Sequence, residues 1–435
     1  MSAQGGNSQT DGLRNGVRQR DDSVTMMGLP LQTIAQLRLI SPPRRRSALS
    51  EGFYEAPEPL PDGLPGAVIR GQPMDAYLVP GVRLRARAWR ILYRSTSATG
   101  EPTAVSGTVL LPGGRPGGVR PLLGYAIGTH GIGDAAAPSR LLPRGLEWEA
   151  ALIALALARG WAVAVTDYQG LGTPGDHTYM VGRALGPNVL DAMRAARALA
   201  PEELPADGPA AILGYSEGGA AAAWAAQLQP SYAPEIALAG VAAGAAAADV
   251  ESAGPNVERG FFSFFMAYGG IGYAAAYPEL DLDSYLTPKA RKGIAALRES
   301  NVLQAALSGP HFARAADLTQ PNVLELPEWR RRLRENRLGS IAPAAPVLLH
   351  HARGDQIVSF GQSTRLRDDW RALGADVRLY VTRGGVEHIS GAVAGTPVAL
   401  DWLARRLARA RSAPRQAAPA RAAAELGGGS ASQAA

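Results

Sequence analysis

The chain passes from an apolar run into an alanine-rich run through Ala210-Ala211-Ile212-Leu213-Gly214-Tyr215-Ser216-Glu217-Gly218-Gly219. The apolar run has the composition of a strand buried on both faces, and the alanines that follow favour a helix. Glycines on both sides of Ser216 allow the strand and the helix to approach closely. The pattern Gly-x-Ser-x-Gly in this setting predicts a sharp turn that lifts the serine hydroxyl out of the sheet, at the positive end of the helix.

Short apolar runs alternate with helical patterns along most of the chain. The predicted strands are 82–96, 104–111, 121–127, 161–166, 210–213, 236–243, 347–351 and 377–381, and the predicted helices are 147–159, 187–200, 217–228 and 396–407. This alternation predicts an α/β fold with a mostly parallel central sheet and helices on both faces. Residues from about 245 to 340 contain helical patterns but no convincing strand, which predicts an inserted helical cap.

The basic charge is concentrated at the two ends of the chain. Residues 1–50 and 405–435 together account for more than the whole formal net charge of +6, so residues 51–404 are net negative. A nucleic-acid-binding protein would carry its basic face on the folded body, so no nucleic-acid partner is predicted. We expect a disordered basic segment over 1–50, one folded domain over 51–410, and a disordered tail rich in Ala, Pro and Gly over 411–435.

A serine nucleophile needs a base, and the base needs an acid that orients it. Asp355 follows the strand 347–351, and His388 follows the next strand, just before a helical run. Taken singly, Asp355 could be an ordinary turn residue and His388 an ordinary helix-start residue. The order Ser, Asp, His and the two strand-end positions together predict that Ser216, Asp355 and His388 form a catalytic triad.

An oxyanion hole requires two backbone N–H groups that point at a developing negative charge. The residue after the nucleophile, Glu217, is expected to supply one. The loop Gly128-Thr129-His130-Gly131 follows an earlier strand, and His130 is expected to supply the other, within one residue. The side chain of His130 has the simpler interpretation of a pocket or core histidine.

Two further patterns do not predict a cofactor or a metal. Residues 170–175 match G-x-G-x-x-G, but Pro174 and the late start of the next helix are incompatible with a phosphate cradle. His350 and His351 are adjacent on one strand, so their side chains point to opposite faces. Neither a cofactor nor a metal site is therefore predicted.

Four of the seven phenylalanines lie within five positions of the predicted cap. They are Phe261, Phe262, Phe264 and Phe265. One interpretation makes them the core of the cap, and the other makes one side of the run a lining for the acyl chain of a substrate. The sequence favours neither.

The chain resembles the secretory lipase family, the α/β-hydrolases typified by the fungal lipase A group and its actinobacterial relatives, over roughly residues 52–408. The resemblance rests on Gly52-Phe53-Tyr54, Tyr93-Arg94-Ser95-Thr96, Gly128-Thr129, Ala137-Pro138-Ser139, Asp167-Tyr168-Gln169-Gly170-Leu171-Gly172, Gly214-Tyr215-Ser216-Glu217-Gly218-Gly219, Gly354-Asp355 and Glu387-His388. It implies an α/β-hydrolase fold, the triad named above, a helical cap over the pocket, and carboxylic esters as substrates.

We therefore expect a serine ester hydrolase that acts on a small-molecule hydrophobic ester, of unspecified acyl length, through an acyl-enzyme. An acyltransferase of secondary metabolism with the same triad is the alternative, and a non-catalytic binding protein is a third, weaker possibility. The sequence contains no cysteine, no secretory signal and no apolar run long enough to cross a bilayer. Because members of the family are usually exported and carry cysteines, these features lead us to expect a cytoplasmic enzyme without stable membrane insertion; no oligomeric state is predicted.

Overall fold

The computed structural model describes residues 40–41, 51–114 and 118–412. Within them the strands are β1 (Ile40–Ser41), β2 (Val68–Met74), β3 (Tyr77–Val79), β4 (Val82–Leu84), β5 (Ala86–Thr96), β6 (Pro102–Pro112), β7 (Leu122–Ala126), β8 (Ala162–Thr166), β9 (Ala210–Tyr215), β10 (Leu238–Gly244), β11 (Val347–His351) and β12 (Val377–Val381). The helices are α1 (Pro138–Leu141), α2 (Ala150–Ala158), α3 (Gly182–Leu199), α4 (Glu217–Tyr232), α5 (Val250–Val257), α6 (Phe264–Ala276), α7 (Leu282–Tyr285), α8 (Pro288–Arg298), α9 (Val302–Ser308), α10 (Ala315–Leu318), α11 (Pro327–Glu335), α12 (Phe360–Ala372) and α13 (His388–Ser412).

The main sheet of the described residues has nine strands in the order β12-β11-β10-β9-β7-β8-β6-β5-β2. The strands from β8 to β12 pair in parallel, whereas β6, β5 and β2 extend the sheet in antiparallel fashion. Every residue of β7, β8 and β9 is buried, as expected for strands covered on both faces by helices. The predicted α/β-hydrolase fold with a mostly parallel sheet is confirmed.

Two helices begin earlier than the sequence pattern predicts. Helix α3 begins at Gly182 and contains Pro187, whereas the sequence pattern predicts a start at Pro187. A Cβ atom at Gly182 would lie 1.8 Å from the Trp224 ring, so the glycine is required by the close packing of α3 on α4 rather than by helix propensity. The last helix likewise begins at His388 and not near Thr396. Strand β2 and helix α12 were not predicted.

The inserted segment, residues 245–346, runs between β10 and β11 and contains helices α5 to α11. It has its own apolar cluster, which includes Phe264, Tyr268 and Trp329 and continues onto Val181 in front of α3. No helix in the described part of the chain is both long and apolar enough to cross a membrane. The segments predicted to be disordered lie outside the described residues, except that Ile40–Ser41 pairs with β4 and α13 extends to Ser412.

Candidate active site

The turn between β9 and α4 holds Ser216 in a conformation that L-residues rarely adopt, with φ of 61° and ψ of −120°. Glycine is required on both sides of it. A Cβ atom on Gly214 would lie 2.0 Å from the carbonyl oxygen of Gly218, and one on Gly218 would lie 2.0 Å from that of Ala126. The backbone of strand, turn and helix is therefore packed too closely for any side chain at these two positions.

The structure brings Ser216, His388 and Asp355 into one chain of hydrogen bonds. The Ser216 Oγ atom lies 2.9 Å from His388 Nε2, and His388 Nδ1 lies 2.7 Å from Asp355 Oδ2. Each residue follows the carboxyl end of a different strand, β9, β12 and β11, and these ends meet at one edge of the parallel sheet. Backbone contacts fix His388 as well, because Tyr215 donates a hydrogen bond from its hydroxyl to the His388 carbonyl at 2.8 Å.

Asp355 is held as a carboxylate by donors on both oxygens. Its Oδ1 accepts the backbone N–H groups of Ile357 and Val358 at 2.9 and 2.8 Å, and its Oδ2 accepts from His388 and from His351. Burial alone would raise the pKa of Asp355, but the hydrogen bonds from the two histidines and from the backbone hold that pKa well below its usual range. The acid is therefore ionised and oriented toward His388 at any pH near neutrality.

His351 is a partner of Asp355 that the sequence reasoning missed. Its Nε2 lies 3.1 Å from Asp355 Oδ2 and 2.9 Å from the Val358 carbonyl, and its Nδ1 lies 2.8 Å from Ser363 Oγ. Because the carbonyl can only accept, Nε2 carries a proton. A histidine that ends the strand four residues before the candidate acid was the available signal.

The loop after β7, which contains His130, is anchored at several points. Gly128 donates its N–H to Glu149 Oε1 at 2.9 Å, and the Tyr168 hydroxyl donates to the Ile127 carbonyl at 2.8 Å. The His130 ring is buried, with Nε2 2.8 Å from Glu147 Oε1 and Nδ1 2.8 Å from the Gly128 carbonyl. Burial by itself lowers the pKa of His130, but the Glu147 carboxylate outweighs it and the pKa is raised to about 9. This side chain therefore braces the loop.

Glu217 has a side-chain partner that the sequence reasoning also missed. Its Oε1 lies 2.8 Å from His177 Nε2, and both side chains are buried. His177 lies in the loop before α3, 40 residues before Glu217 in the sequence. No local sequence pattern therefore connects it to the turn at Ser216.

A cavity of about 330 Å³ opens at Ser216 and Glu217 and extends into the inserted segment. Its lining is mainly apolar and includes Met180, Phe265, Leu286, Val323 and Trp329.

Of the four predicted phenylalanines, only Phe265 lines the cavity. Phe264 is 1% exposed in the apolar cluster of the inserted segment, Phe262 packs against that cluster, and Phe261 is 46% exposed and stacks on His311. The interpretation that the rings line the acyl site is therefore wrong for Phe261, Phe262 and Phe264. The physical reason is that Phe261–Ser263 form a 3-10 turn before α6 begins, so that neighbouring rings point in different directions.

The remaining sequence patterns form no site with these residues. Residues 170–175 are a loop ahead of α3, in which a Cβ atom on Gly170 would lie 2.1 Å from the Asp176 carbonyl. The His350 ring packs between Tyr215 and Gly395, on the opposite side of β11 from Ser363.

Comparison with known proteins gives consistent matches. The family model described as "Secretory lipase" matches residues 137–413, more than half of the chain. A probable inactive lipase of Mycobacterium tuberculosis is 28% identical over 82% of this chain and 81% of its own length. A secreted triacylglycerol lipase of Malassezia globosa is 27% identical over 83% and 80%. The closed form of Candida antarctica lipase A superposes with a TM-score of 0.75 at 22% identity, over 85% of this chain and 89% of that one.

These matches overturn one expectation from the sequence. We expected a cytoplasmic enzyme, but the matched family is secretory and its similar members include secreted lipases, so that expectation is wrong. The absence of cysteine is a poor guide to the compartment, because a domain with an apolar core of this size does not need disulfides for stability. The lipase and esterase matches agree with the fold and with the serine turn, and the chain belongs to the secretory lipase family of serine ester hydrolases.

Proposed function

We propose that this protein hydrolyses a hydrophobic carboxylic ester through an acyl-enzyme on Ser216, with His388 as the general base and Asp355 as the acid that orients it. The observation that carries the proposal is the continuous chain of hydrogen bonds from Ser216 Oγ through the His388 ring to Asp355 Oδ2, at 2.9 and 2.7 Å. These distances lie within the range for proton transfer between a nucleophile and its base.

The chemistry follows from this arrangement. Ser216 Oγ attacks the ester carbonyl carbon while its proton passes to His388 Nε2, and the carbonyl becomes a tetrahedral oxyanion. The backbone N–H groups of Glu217 and His130 donate to that oxyanion. His388 then gives its proton to the departing alcohol, which leaves an ester on Ser216. A water molecule deprotonated by His388 attacks this ester and releases the acid and the free serine.

The cavity supports a hydrophobic substrate. At about 330 Å³ it falls at the small end of the range for small-molecule sites, and Phe265, Leu286 and Val323 are among its apolar lining residues. Ser216 lies at its wall, so an acyl chain bound in the cavity would present its carbonyl to the hydroxyl. Burial of each CH₂ group of such a chain contributes about 0.8 kcal/mol.

The test is the rate of hydrolysis of p-nitrophenyl esters from acetate to palmitate by the wild type and by Ser216→Ala. We expect the substitution to lower kcat by roughly 10⁶-fold, as in other triads, without a change in the unfolding temperature. Ser284→Ala, at an exposed serine of α7, is the matched control. Mass spectrometry should detect an acyl group on Ser216 in the wild type only.

Three outcomes would contradict the proposal. If Ser216→Ala keeps a tenth of the activity, another residue is the nucleophile. If the wild type cleaves no ester, the chain resembles its relative named a probable inactive lipase. If an added alcohol captures nearly all of the acyl group at low concentration, acyl transfer replaces hydrolysis as the function.

A further inference from the structure

The residue expected to supply one N–H of the proposed oxyanion hole carries a carboxyl group. Glu217 follows the nucleophile, lines the same cavity as Ser216, and is expected to stabilise the oxyanion with its backbone N–H. Its side chain is nearly fully buried, and so is that of its partner His177. A charged carboxylate here would oppose the negative charge that develops on the substrate, and the opposition would be strong because the surroundings are apolar.

The contacts of His177 determine how many protons the side chains of His177 and Glu217 share. Its Nδ1 lies 3.2 Å from the carbonyl oxygen of Gln169, which can only accept, so Nδ1 carries a proton. The other contact, Nε2 to Glu217 Oε1 at 2.8 Å, needs a proton on one of its two atoms. With that proton on either atom, the histidine and the glutamate together carry no net charge.

His177 is also connected to the loop of His130 through two tyrosines. Its ring stacks on Tyr168 with centroids 5.8 Å apart and meets the edge of Tyr179 at 5.9 Å. Tyr168 donates its hydroxyl proton to the Ile127 carbonyl, and the Tyr179 hydroxyl lies 3.2 Å from Thr129 Oγ1, so both rings contact the loop that contains His130. Burial, and then the nearby Glu217 carboxylate, hold the pKa of both tyrosines well above the usual value.

We propose that His177 is a positioning residue that keeps Glu217 electrically neutral as a pair, so that the oxyanion forms in a site without net negative charge. The inference rests on the proposed function, because it assigns His177 a role in stabilising the oxyanion of ester hydrolysis. It differs from a purely structural brace in one respect: what matters is the charge of the pair and not only its hydrogen bond.

A cycle of three variants separates the charge from the hydrogen bond. His177→Gln can still donate an N–H to Glu217 but leaves the carboxylate without a compensating proton. Its kcat should fall roughly 10²-fold, comparable to the loss of an oxyanion donor, with KM changed less than about threefold. Glu217→Gln alone should lower kcat by about tenfold at most. The double variant His177→Gln/Glu217→Gln is again neutral, and its kcat should return to within about tenfold of the wild type. His311→Gln, at a histidine of the inserted segment outside the cavity lining, is the control.

Rescue in the double variant supports the inference, because a structural role would make the double variant at least as impaired as His177→Gln. Wild-type kcat in His177→Gln, or no rescue, overturns it. If His177→Gln fails to fold while the double variant folds, the buried uncompensated charge explains the failure, and the inference is supported. If the double variant is also unfolded, the inference is overturned. The variants are compared only after ester hydrolysis has been shown for the wild type and its loss for Ser216→Ala. If the wild type is inactive or Ser216→Ala is active, the proposed function fails and not this inference.

Discussion

The turn at Ser216 and the inserted segment form two walls of the same cavity, yet they are specified in different ways. At the turn, backbone atoms approach so closely that a Cβ atom on Gly218 would lie 2.0 Å from the Ala126 carbonyl. In the inserted segment, Gly254 and Gly269 line the cavity and have nothing within 4 Å of the same added atom. The reacting wall therefore tolerates no added atom at Gly218, whereas the opposite wall has room for a methyl group at Gly254 and Gly269.

The largest difference between the two walls should appear when one methyl group is added to each. Gly218→Ala should destabilise the fold by about 3 kcal/mol or more, because neither backbone oxygen near it can move aside easily. By displacing the turn it should also lower kcat by roughly 10²-fold. Gly269→Ala, in helix α6 on the cavity wall, should instead be neutral or stabilise by up to about 1 kcal/mol. Thermal unfolding and ester kinetics measure both, and equal effects of the two substitutions would refute the contrast.

A second prediction concerns the support of Asp355 by His351. His351→Phe removes the hydrogen bond to Oδ2 but keeps an aromatic ring, so Asp355 is oriented less well toward His388. We expect kcat to fall about 10- to 100-fold, only part of the roughly 10⁴-fold that follows from disabling the orienting acid itself. Ser363→Ala removes only the hydroxyl that lies 2.8 Å from His351 Nδ1, and should lower kcat by less than about fivefold. A larger effect of Ser363→Ala than of His351→Phe would contradict this order.

A substitution in the cavity lining of the inserted segment should change the selectivity for ester chain length and leave the catalytic step intact. Phe265→Ala enlarges the cavity, so kcat/KM should change by up to about tenfold for the ester chain length that contacts this ring, since each CH₂ is worth about fourfold in binding. Hydrolysis of the acetate ester should be nearly unaffected. Phe261→Ala, at a ring outside the cavity lining, should leave the whole profile unchanged. If Phe261→Ala shifts the profile more than Phe265→Ala does, the acyl site lies elsewhere.

The smallest expected effect is on the pH dependence of stability. The folded-state pKa of His130 is raised to about 9, above the ordinary value of 6.5, so its pairing with Glu147 stabilises the fold fully below about pH 6.5 and ceases to do so as the pH rises through 9. Glu147→Gln should lower the free energy of unfolding by about 1–3 kcal/mol at pH 6 and much less at pH 10. Urea unfolding at both pH values measures this, with exposed Glu202→Gln as the control. A difference that grows with pH would have the wrong sign.

The sequence predicts those parts of the site that require a particular residue or pattern nearby in the chain. The close approach at the turn requires glycine, and the strand-end positions of Asp355 and His388 follow from the alternation of strands and helices. His351 and His177 were missed because their roles arise only when the fold brings them to Asp355 and Glu217. The directions of the phenylalanine rings were missed because a 3-10 turn interrupts the helical period at Phe261–Ser263.

Strands β11 and β12, at the far edge of the sheet, are the last strands to be synthesised. A chain synthesised only as far as β10 already contains the nucleophile turn and the loop of His130, but neither the acid nor the base. The inserted segment and two more strands must follow before His388 exists. On the proposed mechanism, a nascent or truncated chain is therefore unable to cleave esters however well the centre of its sheet has folded, and the onset of activity marks the completion of the sheet's last edge.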